Sequence, residues 1–263
     1  MDIVVLMKQV PDTSALIRIG EDNVSITTED VKWVINHYDE LAVEEALRIK
    51  EQQGKGKVII LTVGGESAVA TIRTALAMGA DEGILINDPA LEKIDPQITA
   101  KVIANALKSM HFDLIIAGHR AVDDDAYYVP TAVAEYLDIP FLSMVVKQEI
   151  EDGKIQCEQI VKNGMIVVET DLPALIATQR GLNEPRYPTV MNIMKAKKKS
   201  VQIKTLSDIG LSSEEFGPKA LKTRIMSLAY APKRNAGEII AGETVEEKAV
   251  QLLKLLREKA SVL

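Results

Sequence analysis

Aromatic side chains are scarce. Phe, Trp and Tyr together make up 4% of the 263 residues, so a core has to be assembled from Val, Ile, Leu, Ala and Met. A single cysteine, Cys157, excludes an internal disulfide framework and any cysteine-built metal cage, and it fits a reducing compartment. No apolar run reaches the roughly 20 residues needed to span a bilayer. The opening MDIVVLMKQV lacks the layout of a signal peptide. A cytoplasmic protein that is not integral to a membrane is expected. Excess positive charge is missing too. The net charge is −7, which argues against general affinity for nucleic-acid phosphates. What is present is an ordinary globular balance, 47% hydrophobic and 26% charged, enough for one large domain with or without an appendage.

Over the first 140 residues, short apolar runs alternate with amphipathic segments. Runs at 3–7, 58–63, 84–86 and 114–117 have the length of buried strands. Residues 39–53 place Ala42, Val43, Ala46, Leu47 and Ile49 at helical spacing, with Glu44 and Arg48 as an i,i+4 pair and Gly54 as terminator. Ser67 predicts a cap for a second helix that carries Val69, Ile72 and Leu76 and ends at Gly79. Asp95-Pro96 opens a third, with Ile98, Val102, Ala106 and Met110 inward. A fourth is expected over about 126–137. This alternation implies an α/β, doubly wound, mainly parallel sheet with helices on both faces and right-handed crossovers. Ligands of such sheets bind at the carboxyl ends of the strands, at a topological switch point. The loops singled out are therefore 8–12, 64–66 and 118–125.

After Pro140 the pattern shortens. Asp152-Gly153 and Asn163-Gly164 separate strand-like pieces at 144–150, 155–161 and 165–169, a strong hairpin signal; a further run follows at 174–178. An antiparallel meander or mixed extension of the sheet is expected. Residues 180–199 read as a long exposed loop leading into a short helix, and loops of that length are often functional. Residues 200–232 read as an irregular arm. A final amphipathic helix over 244–258 carries Val245, Ala249, Leu252, Leu253 and Leu256 along one side.

Motifs of known chemistry are few. There is no Walker sequence, no GxGxxG after a strand and no Gly-x-Ser-x-Gly elbow. Gly64-Gly65 suits either a tight turn or a close backbone approach to a ligand. In Gly118-His119-Arg120-Ala121-Val122-Asp123-Asp124-Asp125 a strand runs into a helix N-terminus, where free N–H groups favour anions. Three carboxylates there repel a phosphate, so helix capping, hydrogen bonds to a nucleotide's ribose and a Mg²⁺ site all stay open, in that order. His37 and Glu40 suit an exposed helix entrance better than a metal pair. His111 and His119 have no partner at nucleophile spacing, and Cys157, in a strand, reads as inert. The cluster Lys195-Ala196-Lys197-Lys198-Lys199 fits a solvated face, a nucleic-acid patch or a surface that steers an acidic protein partner.

Several blocks taken together resemble the electron transfer flavoprotein β subunit. These are Ala42-Val43-Glu44-Glu45-Ala46, Thr71-Ile72-Arg73-Thr74-Ala75-Leu76-Ala77-Met78-Gly79-Ala80-Asp81, Val122-Asp123-Asp124-Asp125, Leu172-Pro173-Ala174, Leu182-Asn183-Glu184-Pro185-Arg186-Tyr187 and Asn192-Ile193-Met194-Lys195-Ala196-Lys197-Lys198-Lys199. The resemblance covers nearly the whole chain. It implies a Rossmann-like domain over 1–200 and a C-terminal arm and helix over 201–263 that packs on a partner α subunit. The α subunit would hold the redox-active FAD, and this subunit one AMP. Electrons would pass from acyl-CoA or other flavin dehydrogenases towards a quinone reductase, with no catalytic residue and no metal in this chain.

By position, the resemblance assigns the nucleotide to Leu6, Lys8, Asn36, Tyr38, Asp39, Val63, Gly118, Asp123, Asp125, Tyr127, Tyr128, Val129, Pro130 and Thr131. Phosphate would face backbone N–H groups near 127–130, although Pro130 has none to give. Tyr38 matches the family aromatic that approaches the α-subunit flavin. Residues 183–199 match a dehydrogenase-recognition loop, with Tyr187, Val190, Met191, Ile193, Met194 and Lys195 as docking residues. Val190 takes the place of an anchoring Leu in mitochondrial members. Asn36-His37-Tyr38-Asp39-Glu40 lies nearer to ordinary, AMP-binding members. Lys8-Gln9-Val10-Pro11-Asp12-Thr13 looks like electron-bifurcating members, in which a second FAD replaces AMP and NADH is the donor. A stand-alone adenine-nucleotide sensor of the same class is a third alternative.

Overall fold

The computed structural model describes residues 1–92, 94–216, 220–232 and 237–260. They form two compact units, Met1–Met226 and Ser227–Leu263.

In chain order the first unit contains β1 (Ile3–Leu6), β2 (Gln9–Pro11), β3 (Arg18–Ile19), β4 (Ile26–Thr27), β5 (Trp33–Ile35), α1 (His37–Gln53), β6 (Val58–Val63), α2 (Ala68–Met78) and β7 (Glu82–Ile86). There follow α3 (Pro96–Lys108), β8 (Leu114–Gly118), α4 (Val129–Leu137), β9 (Phe141–Glu151), β10 (Lys154–Val161), β11 (Gly164–Asp171), β12 (Ala174–Thr178), α5 (Val190–Lys198) and β13 (Val201–Lys204). Nine strands make one sheet in the order β11-β10-β9-β12-β8-β1-β6-β7-β13. From β9 through to β13 all neighbours are parallel; β9-β10-β11 is an antiparallel meander.

Period-2 alternation sends the strand side chains into two cores. Ile3, Val5, Val58, Ile60, Leu114 and Ile116 pack with the buried faces of α1 and α2. Val4, Leu6, Ile59, Leu61, Ile115 and Ala117 pack with α3 and α4. The chain grows outward from β1 to β6 and β7, then returns to place β8 on the other side of β1. The switch point thus lies at the carboxyl ends of β1 and β8, where helices on opposite faces diverge and leave a crevice.

Several boundaries differ from expectation. The fourth helix starts at Val129, because Asp125 and Tyr127 take left-handed backbone angles (φ 49° and 55°) that no helix accepts. Ser67 does not cap α2; its hydroxyl donates to Gln9 Oε1 at 2.9 Å. Residues 201–204 are not irregular but form β13, which adds to the sheet beside β7. Two short ribbons, β2-β5 and β3-β4, occupy the stretch between β1 and α1. Cys157 is buried, and burial pushes its thiol up to about 12, consistent with an inert side chain.

In the second unit, α6 (Val245–Leu255) is capped by Thr244, whose hydroxyl accepts from Glu247 N at 3.2 Å. Glu247 Oε2 accepts from Glu243 N at 2.9 Å. Val245, Val250, Leu252 and Leu253 are exposed.

Candidate functional site

A cavity of about 290 Å³ opens at the switch point. Its apolar wall comes from strand ends and the opposite helix: Leu6, Leu61, Val63, Leu91, Ile94 and Ile103. Its polar wall comes from Lys8, Asn36, Asp39, Asp95, Thr99, Arg120 and Asp124, and its mouth from residues 126–130 at the start of α4.

Two buried side chains fix the floor. Asp39 Oδ2 accepts from Lys8 N at 2.7 Å and Oδ1 from Gly118 N at 2.9 Å, so one carboxylate ties α1 to the ends of β1 and β8. Burial pushes this carboxyl up to about 7, against the pull of those N–H groups and of Lys8. Gly118 has to be glycine here. A Cβ would fall 2.6 Å from Tyr38 Cβ and closer still to Asp39 Oδ1. Asn36 clamps the next loop, donating to Arg120 O at 2.8 Å and accepting from Val122 N at 3.1 Å.

The loop over 118–128 is held mostly by charge. Lys8 Nζ pairs with Asp123 at 2.9 Å and Asp124 at 3.0 Å. Burial would lower the Lys8 pKa, but these two carboxylates outweigh it and raise it. Arg120 pairs with Asp125 at 2.7 Å and donates to Tyr38 Oη at 3.0 Å. Its Nε is buried and has no acceptor among the described residues. The left-handed Asp125 and Tyr127 store backbone strain beside this unspent donor.

Behind the loop, Tyr38 is buried and meets the His119 ring in a T-shaped contact, centroids 4.2 Å apart. The guanidiniums of Arg120 and Arg180 lie 5.1 and 5.7 Å from its centroid. His119 Nδ1 donates to Thr178 O at 2.9 Å. Burial holds the imidazole pKa below its ordinary value, so it is neutral near pH 7.

Of the residues assigned to the nucleotide, Leu6, Lys8, Asn36, Asp39, Val63, Gly118, Tyr127, Tyr128, Val129 and Pro130 converge on this cavity. Tyr38, Asp123, Asp125 and Thr131 do not line it, whereas Asp124, Asp95, Arg120 and the α3 face do. Asp95 had a visible signal, Asp-Pro at a helix start. Its Oδ1 caps Ile98 N, and its Oδ2 accepts from Lys222 N and Thr223 N at 2.6 and 3.2 Å. No group of three or more His, Cys, Asp or Glu side chains placed to hold a metal occurs among the described residues. No described helix is long and apolar enough to cross a membrane.

A second feature stands apart from the cavity. Tyr187 is 95% exposed, Val190 75%, Met191 68% and Met194 62%, with Ile193 and Lys195 exposed beside them. The segment before α5 is clasped to α1. Arg186 makes a fork to Glu44 (2.8 and 3.1 Å) and a second to Glu51 (2.5 and 3.1 Å). Asn183 donates to Leu41 O and Glu45 Oε2 at 3.0 and 2.8 Å. Sequence blocks 135–142 residues apart are thus one structural joint.

The electron transfer flavoprotein domain model matches residues 24–209. The chain is 40% identical to the electron transfer flavoprotein subunit beta of Bacillus subtilis, over the full length of both. It is 35% identical to that of Bos taurus, over 96% of this chain and 97% of the relative. It is 36% identical to the caffeyl-CoA reductase-Etf complex subunit CarD of Acetobacterium woodii, over 98% and 99%. With a doubly wound sheet, a crevice at its switch point and these full-length likenesses, the chain belongs to the electron transfer flavoprotein β-subunit family.

Proposed function

We propose that this chain is the β subunit of a heterodimeric electron carrier that holds one AMP in the switch-point cavity. The observation that carries this is an apolar wall that faces Lys8, Arg120 and the N–H groups at the start of α4 across one cavity, which suits a base at one end and, in place of the loop carboxylates that pair with these cations, a phosphate at the other. Leu6, Val63, Leu91 and Ile103 would cover the adenine. Lys8, Arg120 and the backbone N–H groups at the start of α4 would face the phosphate. The buried Arg120 Nε without an acceptor fits an anion that supplies one. A volume of about 290 Å³ lies at the low end of small-ligand sites, roughly 300–1,000 Å³, and favours a mononucleotide over a dinucleotide.

In this proposal an α subunit carries the FAD, which supplies the one- and two-electron chemistry of the complex. The exposed face of Tyr187, Val190, Met191 and Met194, with Lys195 at its rim, docks acyl-CoA or other flavin dehydrogenases, and a quinone reductase takes the electrons onward. A second reading draws on the likeness to a caffeyl-CoA reductase-Etf complex subunit: an electron-bifurcating β subunit with its own FAD, using NADH. Chromatography of nucleotides released from the purified αβ complex separates the two. One AMP and one FAD per heterodimer is expected. Two FAD and no AMP selects bifurcation, and no adenine nucleotide at all overturns the cavity assignment.

A further inference from the structure

α5 is an inverted helix. Amphipathic helices of globular domains turn their apolar stripe inward, yet Val190, Met191, Ile193 and Met194 face out and only Ala196 is buried. Nine residues are too few to be helical unaided. Hydrophobic burial therefore does little to hold the segment on which dehydrogenase docking is proposed to depend.

Two cationic side chains, Arg73 and Lys199, hold its far end. The last carbonyls of a helix lack intrahelical partners and carry the negative end of its dipole. Arg73 Nη1 shares its two N–H groups among Ala196 O at 3.1 Å, which also accepts from Lys199 N, Lys197 O at 3.0 Å and, just past the helix, Lys199 O at 3.4 Å. Arg73 itself projects from α2, whose Ile72, Ala75 and Leu76 are locked in the core. Lys199 adds a bond from its Nζ to Ala80 O at 2.5 Å, just past the end of α2. A rigid core helix thus grips the exposed one by its carbonyl end through a cation. Charge-assisted bonds of this kind are the strong ones.

We propose that Arg73 is a positioning residue for partner docking: through the C-terminal carbonyls of α5 it sets the pose of the apolar face without touching the partner. The inference rests on the docking function proposed above for α5. A lysine at this position keeps the charge, but its ammonium sits one bond nearer to Cα than Nη1 does and falls short of these carbonyls.

The test uses the intact αβ complex with Arg73→Met, Arg73→Lys and Val190→Asp, read by amide exchange and by reduction with a purified acyl-CoA dehydrogenase as electron donor. For Arg73→Met, α5 amides should exchange about tenfold faster or more while α2 amides, the control for folding, stay as in the wild type. Its KM for the dehydrogenase should rise several-fold, with kcat within about twofold. Arg73→Lys should fall between it and the wild type on both measures. Val190→Asp should raise KM and leave α5 exchange unchanged. Wild-type exchange in α5 of Arg73→Met overturns the proposal. So does faster exchange with an unchanged KM when Val190→Asp raises it, and then the docking function still stands. An unchanged KM in both variants removes the docking function and this proposal with it.

Discussion

Asp39 does two things that oppose each other. It is a buried carboxylate, which costs free energy when ionised, and it is the acceptor that joins Lys8 N and Gly118 N beneath the cavity. Held at about 7 by burial, it binds its proton more tightly in the folded chain than in the unfolded one. Its contribution to stability is therefore complete below the ordinary aspartate value and declines as pH rises through roughly 4 to 7. Asp39→Asn keeps the shape, replaces one acceptor with a donor and does not titrate. It should be less stable than the wild type by about 1–3 kcal/mol, with the gap largest near pH 5 and narrowing towards pH 8. Urea unfolding midpoints at the two pH values measure this. A gap that stays constant or widens would show a carboxylate ionised throughout, with the two N–H donors outweighing burial. His119 has the opposite sense: its lowered pKa means that stability is lost as pH falls below its unfolded value.

Among the elements, the clasp between α1 and the segment before α5 is the joint most open to test. Glu44 is buried and receives both Arg48 and Arg186. Arg186→Ala leaves Arg48 as its only ion-pair partner among the described residues, so a cost of about 1–3 kcal/mol is expected, seen as a lower thermal midpoint. The exposed Glu51, the other partner of Arg186, should matter far less, and Glu51→Ala should change the midpoint by no more than a surface ion pair, about 0–1 kcal/mol. Equal effects of the two would mean that the buried fork is not what holds the segment. The elements that were legible in the sequence are those whose burial is one-dimensional. The buried parallel strands β1, β6, β7 and β8 are continuous apolar runs, and α1 to α3 carry clean helical stripes. β13 was not legible because it is a four-residue edge strand, half solvated, whose only sheet partner among the described residues is β7. The start of α4 was misplaced because Ala126, Tyr127 and Tyr128 have helix-compatible identities, and only the left-handed angle at Tyr127 reveals the break. The cavity's strand-end loops followed from topology, but its α3 wall and Arg120 depend on how a helix on the far face leans over the crevice, which no spacing encodes.

At the scale of the whole molecule, the cavity walls belong to segments far apart in sequence: the end of β1, the turn before α3, α3 itself and the loop into α4. A ligand that touches all of them binds the folded chain and has no counterpart site in the unfolded one, so it should act as a structural clamp. At a free concentration one hundred times its Kd, such a ligand adds about 2.7 kcal/mol, which for a chain of this size raises the thermal midpoint by roughly 5–10 °C. AMP added to nucleotide-stripped complex should restore a shift of that order. Adenosine, which has the base proposed for the apolar wall but no phosphate for Lys8, Arg120 or the α4 N–H groups, should restore much less. Lys8→Met should shrink the difference between the two ligands if Lys8 is, as proposed, one of the cations that read the phosphate. It also frees Asp123 and Asp124 from their ion pair, so the bare variant is the proper reference for each shift. Differential scanning calorimetry on wild type and variant, each with and without both ligands, gives the four differences directly. Equal shifts for AMP and adenosine in the wild type would show that the phosphate is not read at this mouth, and that the charged loop over 118–128 stabilises itself and not a ligand.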